Sequence, residues 1–508
     1  MHGVLHDILE SAAARHPHAP ALRSQHGALT YAEFEAAVAR TAVRLRAAGL
    51  GRGDRVVITA GDAHGIGIVL AAYAASRLGA VFSVLHEQVR GEPLRHVLAD
   101  CEPRVVVCDD DSVHKDAADH GARFLLLDAL TGDDPGQPAH TAPRLQAPGP
   151  LPVDPVSLIY TSGTTSLPKA VVSTHQQVLF AATAIQRCLR YRADDVIFCP
   201  LPLSFDYGLY QVHLAALSGA CLYLGTSAEA GPPLLRRLAE TGATVLPAVP
   251  TVADRLAWLV RRSSGGGPGK LRLLTNTGAA LAESTLAELR EALPDLRIQV
   301  MYGLTECKRT AIMPVDGDLG RPGSCGVPLP GTEVFVIGDD GERLAPGEIG
   351  QFVVRGPHVM AGYWRRPDLD AERFPRVDGL FPELRTGDYG WLDEDGYLYF
   401  SGRRDDLYKE RGFRISTTEV EAAARKIPGV TAAAVLAPTE DRPAVLAVTG
   451  ELTGDEVRRL LPQHIEPFKI PRRCVHLPQL PVNGNGKVDR KRLALLVGPP
   501  AGHPTTAG

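Results

Sequence analysis

The sequence predicts an α/β protein built around a parallel sheet, and three observations predict it. Short β-branched runs alternate with Ala/Leu/Arg-rich helical stretches over roughly the first 400 residues. At 508 residues the chain exceeds what one core can hold, since single cores stop growing at about 250 to 300 residues. After GRRDD (402–406) the pattern changes to a compact series of helix, strand, helix and strand that ends near KRLALL (491–496). The expected architecture is therefore a large N-terminal domain over 1–403, made of layered α/β subdomains plus a small β-barrel-like part. A small α+β C-terminal domain follows over 404–497, and the tail 498–508 is expected to be disordered.

Taken in order, RVVIT (55–59) reads as a buried strand and GIGIVLAAYAASRLGAVF (65–82) as a helix running into the next strand. RVVVCD (104–109), ACLYLG (220–225) and ATVLPAV (243–249) repeat that unit, as parallel strands covered on both faces should. The Gly/Asp-punctuated stretch VFVIGDDGERLAPGEIGQFVVRG (334–356) changes to short alternating runs, which predict antiparallel strands with tight turns. RRSSGGGPGK (261–270) and GPPAGHPTTAG (498–508) are rich in Gly, Pro and Ser and read as loop or tail.

Composition excludes several function classes. Apolar content of 44% and charged content of 22% are ordinary for a globular protein, and no apolar run approaches the ~20 residues that span a bilayer. The start MHGVLHDILE lacks a basic segment followed by an apolar one, so the expected location is the cytoplasm. A net charge of -4 without a basic cluster argues against nucleic-acid binding. Eight cysteines without a CxxC or Cys/His spacing fit reduced thiols rather than a disulfide frame or a zinc site.

The stretch YTSGTTSLPK (160–169) has the glycine, hydroxyls and terminal lysine of a phosphate-holding loop. It is not a Walker A loop, which needs glycine directly before its lysine and a hydroxyl directly after, where this chain has Pro168 and Ala170. Alone, the run reads equally well as a surface turn. Farther along stand YGLTE (302–306), RTGD (385–388), GRRDDLYKERGFRI (402–415) and GNGKVDR (484–490). In this order and spacing, with LTYAEF (29–34), PLPGTEVFVI (328–337) and GPHVMAGYW (356–364), the set resembles the adenylate-forming superfamily of acyl-CoA synthetases, luciferases and peptide-synthetase adenylation domains.

The resemblance implies an ATP-dependent ligase that joins a carboxylic acid to AMP with release of pyrophosphate, then passes the acyl group to a thiol. Thr161, Ser162, Gly163, Thr164, Thr165 and Lys169 would wrap the β and γ phosphates, with Ser166 and Ala170 standing where glycine is common. Tyr302 would stack on adenine, Thr305 would contact phosphate, and Glu306 would help hold Mg²⁺. Asp388 would bind the ribose hydroxyls and Arg403 would reach phosphate or ribose. Lys487 would bridge the substrate carboxylate and the α-phosphate. Asp405 falls at the hinge about which the small domain swings in the family, bringing Lys409 and Gly412 to the thiol-transfer site.

The acid pocket would be lined by Asp206, Tyr207 and Tyr210 from LPLSFDYGLYQ (201–211), by Thr277 and Gly278 from TNTGAAL (275–281), and by residues after YGLTE. Asp206 stands where amino-acid-activating relatives pair an aspartate with the substrate ammonium. The tyrosines favour a compact acid. The expected substrate is an amino acid, with an aryl or short acyl acid as the alternative. Arg309 either faces the pocket, to pair with Asp206 or an acidic group of the substrate, or is a loop cation. No carrier module follows Lys487, so the acceptor would be the phosphopantetheine of a separate carrier protein or coenzyme A. A nucleotide-binding relative without catalysis is the remaining reading, and the lysine at 487 argues against it.

Overall fold

The computed structural model describes residues 2–132, 149–161, 168–263, 267–377, 381–403, 407–410, 413–439, 442–465, 467–482 and 488–498. The chain forms two compact units, one of Met1–Val334, Val353–Thr386 and Gly396–Leu398, the other of Phe335–Phe352, Gly387–Asp395 and Tyr399–Gly508.

In the larger unit, a sheet of seven strands runs in the order Gly362–Tyr363, Lys169–Thr174, Pro155–Thr161, Val81–Leu85, Arg55–Thr59, Val105–Cys108 and Arg123–Leu126. Its five strands from Pro155–Thr161 to Arg123–Leu126 are parallel, and Lys169–Thr174 turns back antiparallel to Pro155–Thr161. The apolar run RVVIT is buried on both faces: Val56 and Ile58 join one apolar cluster and Val57 another.

A second sheet passes through the unit in the order Ala28–Thr30, Pro20–Arg23, Cys221–Leu224, Val196–Cys199, Val245–Ala248, Leu273–Asn276, Arg297–Tyr302, Ala311–Ile312 and Ser324–Pro328. The strands from Pro20–Arg23 to Arg297–Tyr302 are parallel. Helices Tyr31–Ala47, Gly65–Leu78, His175–Leu189 and Asp206–Ser218 share one apolar cluster with residues of both sheets, among them Ile58, Ile197 and Leu222. Helix starts are written locally. Thr30 and Thr174 each accept from the backbone three residues on, and Glu33 and Gln177 bond back, closing capping boxes. The expected α/β layering is what the unit shows.

Parallel order has a consequence for function. The carboxyl ends of Val196–Cys199, Val245–Ala248, Leu273–Asn276 and Arg297–Tyr302 open on one edge of the sheet, and ligands of open α/β sheets bind at that edge. The residues that follow these strands are 200–207, 249, 277–278 and 303–309, which include the acid-pocket residues read from sequence except Tyr210, one turn into helix Asp206–Ser218.

In the smaller unit, the hairpin Leu407–Glu410 and Phe413–Ser416 leads into helix Thr417–Arg425, which Ser416 caps. Strand Val430–Leu436 pairs antiparallel with Val445–Gly450, and Arg473–His476 adds parallel to the latter. Ile415, Val420, Val435, Leu446 and Val457 are fully buried at its core. All eight cysteines are free thiols. Among the described residues no helix is long and apolar enough to cross a membrane.

Candidate active site

At one end of the site, the hairpin of Pro155–Thr161 and Lys169–Thr174 sets Thr161 directly across from Lys169, so the intervening stretch starts and ends on paired backbone. Ser162, Gly163, Thr164 and Thr165 lie outside the described residues. The Thr161 hydroxyl donates to the Lys169 carbonyl at 3.4 Å. The Lys169 ammonium sits 3.9 Å from the centre of the Tyr363 ring, a cation–π contact. Burial lowers its pKa, and the carboxylate of Glu306 pulls it back up. Tyr363 in turn donates its hydroxyl to Glu306 Oε1 at 2.6 Å. Lys169, Tyr363 and Glu306 thus form one connected group of cation, aromatic ring and buried carboxylate.

Glu306 belongs to the loop after strand Arg297–Tyr302. That loop is short because Tyr302 pairs with Ala311 across it. The amide of Thr310 donates to the Tyr302 carbonyl at 2.8 Å, and the amide of Met360 donates to the Glu306 carbonyl at 2.9 Å. A Cβ on Gly303 would stand 2.3 Å from the Lys308 carbonyl oxygen and 2.8 Å from Arg309 Cα, so the chain folds over itself only with glycine there. Lys308 takes a left-handed backbone, φ +64, a conformation that costs an L-residue energy. Tyr302 and Thr305 are half-buried on the same loop.

At the acid-pocket end, Asp206 is the first residue of helix Asp206–Ser218 and is only 4% exposed. The positive end of the helix dipole favours its charge. The Arg309 guanidinium, also 4% exposed, points inward: Nη1 is 4.0 Å from Asp206 Oδ2 and Cζ is 4.7 Å from the centre of the Tyr207 ring. The question left open at Arg309 is thereby answered in favour of the interior. Tyr207 is fixed by bonds between its hydroxyl and both the carbonyl (2.8 Å) and hydroxyl (2.7 Å) of Thr275. Tyr210 is buried, and its hydroxyl has no hydrogen-bond partner among the described residues. Thr277 is buried, and half-buried Gly278 follows it at the edge of the sheet.

Sequence reasoning passed over two residues of this group. Lys308 is 1% exposed, and its Nζ has no hydrogen-bond partner among the described residues, lying 5.8 Å from the centre of the Tyr210 ring. Burial pulls its pKa down to about 8, against the upward pull of Asp206 and Glu306. The same cation, after burial itself, holds His213 down at about 3. Tyr363, within GPHVMAGYW, is the second, through its bond to Glu306. The one signal for Lys308 was the adjacency of two cations in TECKRT; for Tyr363, nothing in the sequence marks its reach to Glu306.

In the smaller unit, buried Asp388 and exposed Arg403 are joined, Nε to Oδ1 at 3.2 Å. Asp405, Gly412 and Lys487 lie outside the described residues, as does the side chain of Lys409.

The chain is similar to known proteins along most of its length. The AMP-binding enzyme family profile matches residues 9–364, and that of the AMP-binding enzyme C-terminal domain matches 419–487. A feruloyl-CoA synthase of Amycolatopsis sp is 31% identical over 488 residues, covering 93% of this chain and 94% of that protein. The Delta-poly-L-ornithine synthetase of Acinetobacter baumannii is 32% identical over 357 residues, 67% of this chain but 26% of that much longer protein. Among solved structures, VinN in complex with L-aspartate is 38% identical with a TM-score of 0.68, covering 79% of this chain and 98% of that one. The O-succinylbenzoate coenzyme A synthetase of Bacillus subtilis, in complex with ATP and magnesium ion, is 26% identical with a TM-score of 0.84, covering 96% and 98%. The chain belongs to the AMP-binding enzyme family and is an adenylate-forming ligase of that superfamily.

Proposed function

We propose that the chain activates an amino acid with ATP, releasing pyrophosphate, and passes the aminoacyl group to the phosphopantetheine thiol of a separate carrier protein, with coenzyme A as the other acceptor. The observation that carries this reading is Asp206: a carboxylate 4% exposed, at the sheet edge where ligands bind, with its nearest cation among the described residues, Arg309, at 4.0 Å. Arg309 stands too far from Asp206 to donate a hydrogen bond to it, whereas the ammonium of an amino acid could donate to that carboxylate directly. A 38% identical solved neighbour, holding an amino acid, supports it.

The reaction brings a carboxylate oxygen onto the α-phosphorus, forming an acyl–phosphate bond as the bond to pyrophosphate breaks. Both reactants are anions, so positioned cations and donors carry much of the catalysis. Lys169, with Thr161 to Thr165, would hold the outer phosphates. Tyr302 and Thr305 would seat the nucleotide, and Asp388 and Arg403 would take ribose and phosphate. Glu306 fits Mg²⁺, being a buried oxygen donor of the kind that ion selects. When bound, Mg²⁺ supplies charge that offsets the departing pyrophosphate. Tyr363 orients Glu306 through its hydroxyl. Lys487 would bridge the acid and the α-phosphate, and a swing at Asp405 would exchange it for Lys409 and Gly412 in the thiol-transfer step.

The test is acid-dependent pyrophosphate release from Mg-ATP in the wild type and in Asp206→Ala. Response to an amino acid that falls at least 100-fold in the variant supports the reading. An unchanged response on the preferred acid, or a preference for an acid without an amino group, overturns it.

A further inference from the structure

Asp206 leaves an imbalance of charge at its own pocket. One carboxylate faces two cations, Lys308 and Arg309, each at most 4% exposed. The other acid near Lys308, Glu306, is engaged elsewhere, by the Tyr363 hydroxyl and the charge of Lys169. Arg309 Nη1 donates to the Lys308 carbonyl at 2.6 Å and reaches Asp206 only at 4.0 Å, too long for a hydrogen bond, while its Nε has no partner among the described residues. Lys308 Nζ is likewise without a partner there. Buried donors of this strength are seldom left unmade.

An amino acid with a single carboxylate would worsen the imbalance. Its ammonium adds a third positive charge, and its carboxylate loses its charge on joining the phosphate. A second carboxylate, untouched by the reaction, removes the excess and gives the open donors of Lys308 and Arg309 an acceptor. Arg offers a planar fork of N–H groups and Lys a mobile ammonium, a pairing suited to two carboxylate oxygens. The Tyr207 ring under the guanidinium and the left-handed turn at Lys308 hold both cations in place. The Tyr207 and Tyr210 rings stand beside these cations, 4.7 Å from Arg309 Cζ and 5.8 Å from Lys308 Nζ, where they would limit the length of the acid.

We infer that the activated substrate is a compact amino dicarboxylic acid, whose ammonium pairs with Asp206 while its second carboxylate is held by Lys308 and Arg309. This rests on the amino-acid reading above and names the class within it.

The experiment measures kcat/KM for pyrophosphate release with the full-length protein. The acids are α- and β-amino dicarboxylates of four to six carbons, their amides such as asparagine, amino acids without the second carboxylate such as alanine and β-alanine, and succinate, which lacks the amino group. The expected result is activity with one or more amino dicarboxylates at least 100-fold above the matching amide, with succinate equally poor. In Lys308→Met and in Arg309→Leu the preference over the amide should fall at least tenfold. A preference for an amino acid with one carboxylate overturns this inference and leaves amino-acid activation standing. Succinate accepted as well as its amino counterpart overturns both. No response to any amino dicarboxylate, or a preference unaltered in both variants, overturns the inference.

Discussion

Replacing Lys308 with Met should stabilise the ligand-free protein while crippling the enzyme. Met keeps the length and apolar contacts of the lysine stem and removes the ammonium. In the wild type, burial takes that ammonium from 10.5 to about 8, partly countered by Asp206, Glu306 and Cys307 and reinforced by Arg309. His213 and Tyr210 complete the surroundings and do not neutralise it. At about 1.4 kcal/mol per tenfold change in proton affinity, keeping the charge at pH 7 costs about 3 kcal/mol.

The sign follows from proton binding. The unfolded chain holds the Lys308 proton up to pH 10.5, whereas the folded chain releases it near pH 8. Between these limits the unfolded state binds more protons, so wild-type stability from this group rises with pH. The advantage of Lys308→Met is therefore largest below pH 8 and gone above 10.5. For a domain of this size, about 3 kcal/mol raises Tm by about 4 °C. Thermal unfolding at pH 7 and pH 10, without substrate, measures it. A variant less stable than wild type at pH 7, with the same dependence on pH, would show that the lysine is structural and refute the reasoning.

Other residues carry sharper kinetic signatures. Tyr363→Phe removes the hydroxyl held at 2.6 Å by Glu306 and should raise the Mg²⁺ needed for half-maximal rate at least tenfold, read from a magnesium titration. Gly303→Ala places a Cβ 2.3 Å from the Lys308 carbonyl oxygen, so the loop must shift; kcat/KM should fall at least 100-fold while circular dichroism stays that of a folded protein. Lys487→Ala should abolish adenylate formation and spare thiol transfer from a supplied aminoacyl-adenylate; equal loss in both half-reactions would refute the proposed division of labour.

The layers of the fold were legible because they rest on local pattern. RVVIT carries an unbroken apolar run, Val56 to Ile58, since both its faces are covered. The resemblance singled out Asp206 as a pocket residue but did not tell that it would open a helix. Whether Arg309 points in or out was not. That depends on the pairing of Tyr302 with Ala311, on the close approach at Gly303 and on the left-handed turn at Lys308, which act together only in the folded loop. Tyr363 meets Glu306 across a sequence separation of 57, a contact set by the tertiary structure alone. Lys308 was hidden for a further reason: a lysine beside an arginine reads as solvated surface, and only its 1% exposure reverses that reading.

The central claim is that the enzyme adenylates an amino acid, and the most direct measurement is a competition. Mg-ATP, hydroxylamine and an equimolar mixture of amino, aryl and short acyl acids are incubated with the protein, and the trapped hydroxamates are identified by mass spectrometry. The account predicts an amino hydroxamate as the dominant product, absent when Asp206 is replaced by Ala. A dominant aryl or acyl hydroxamate, formed equally well by that variant, would contradict it.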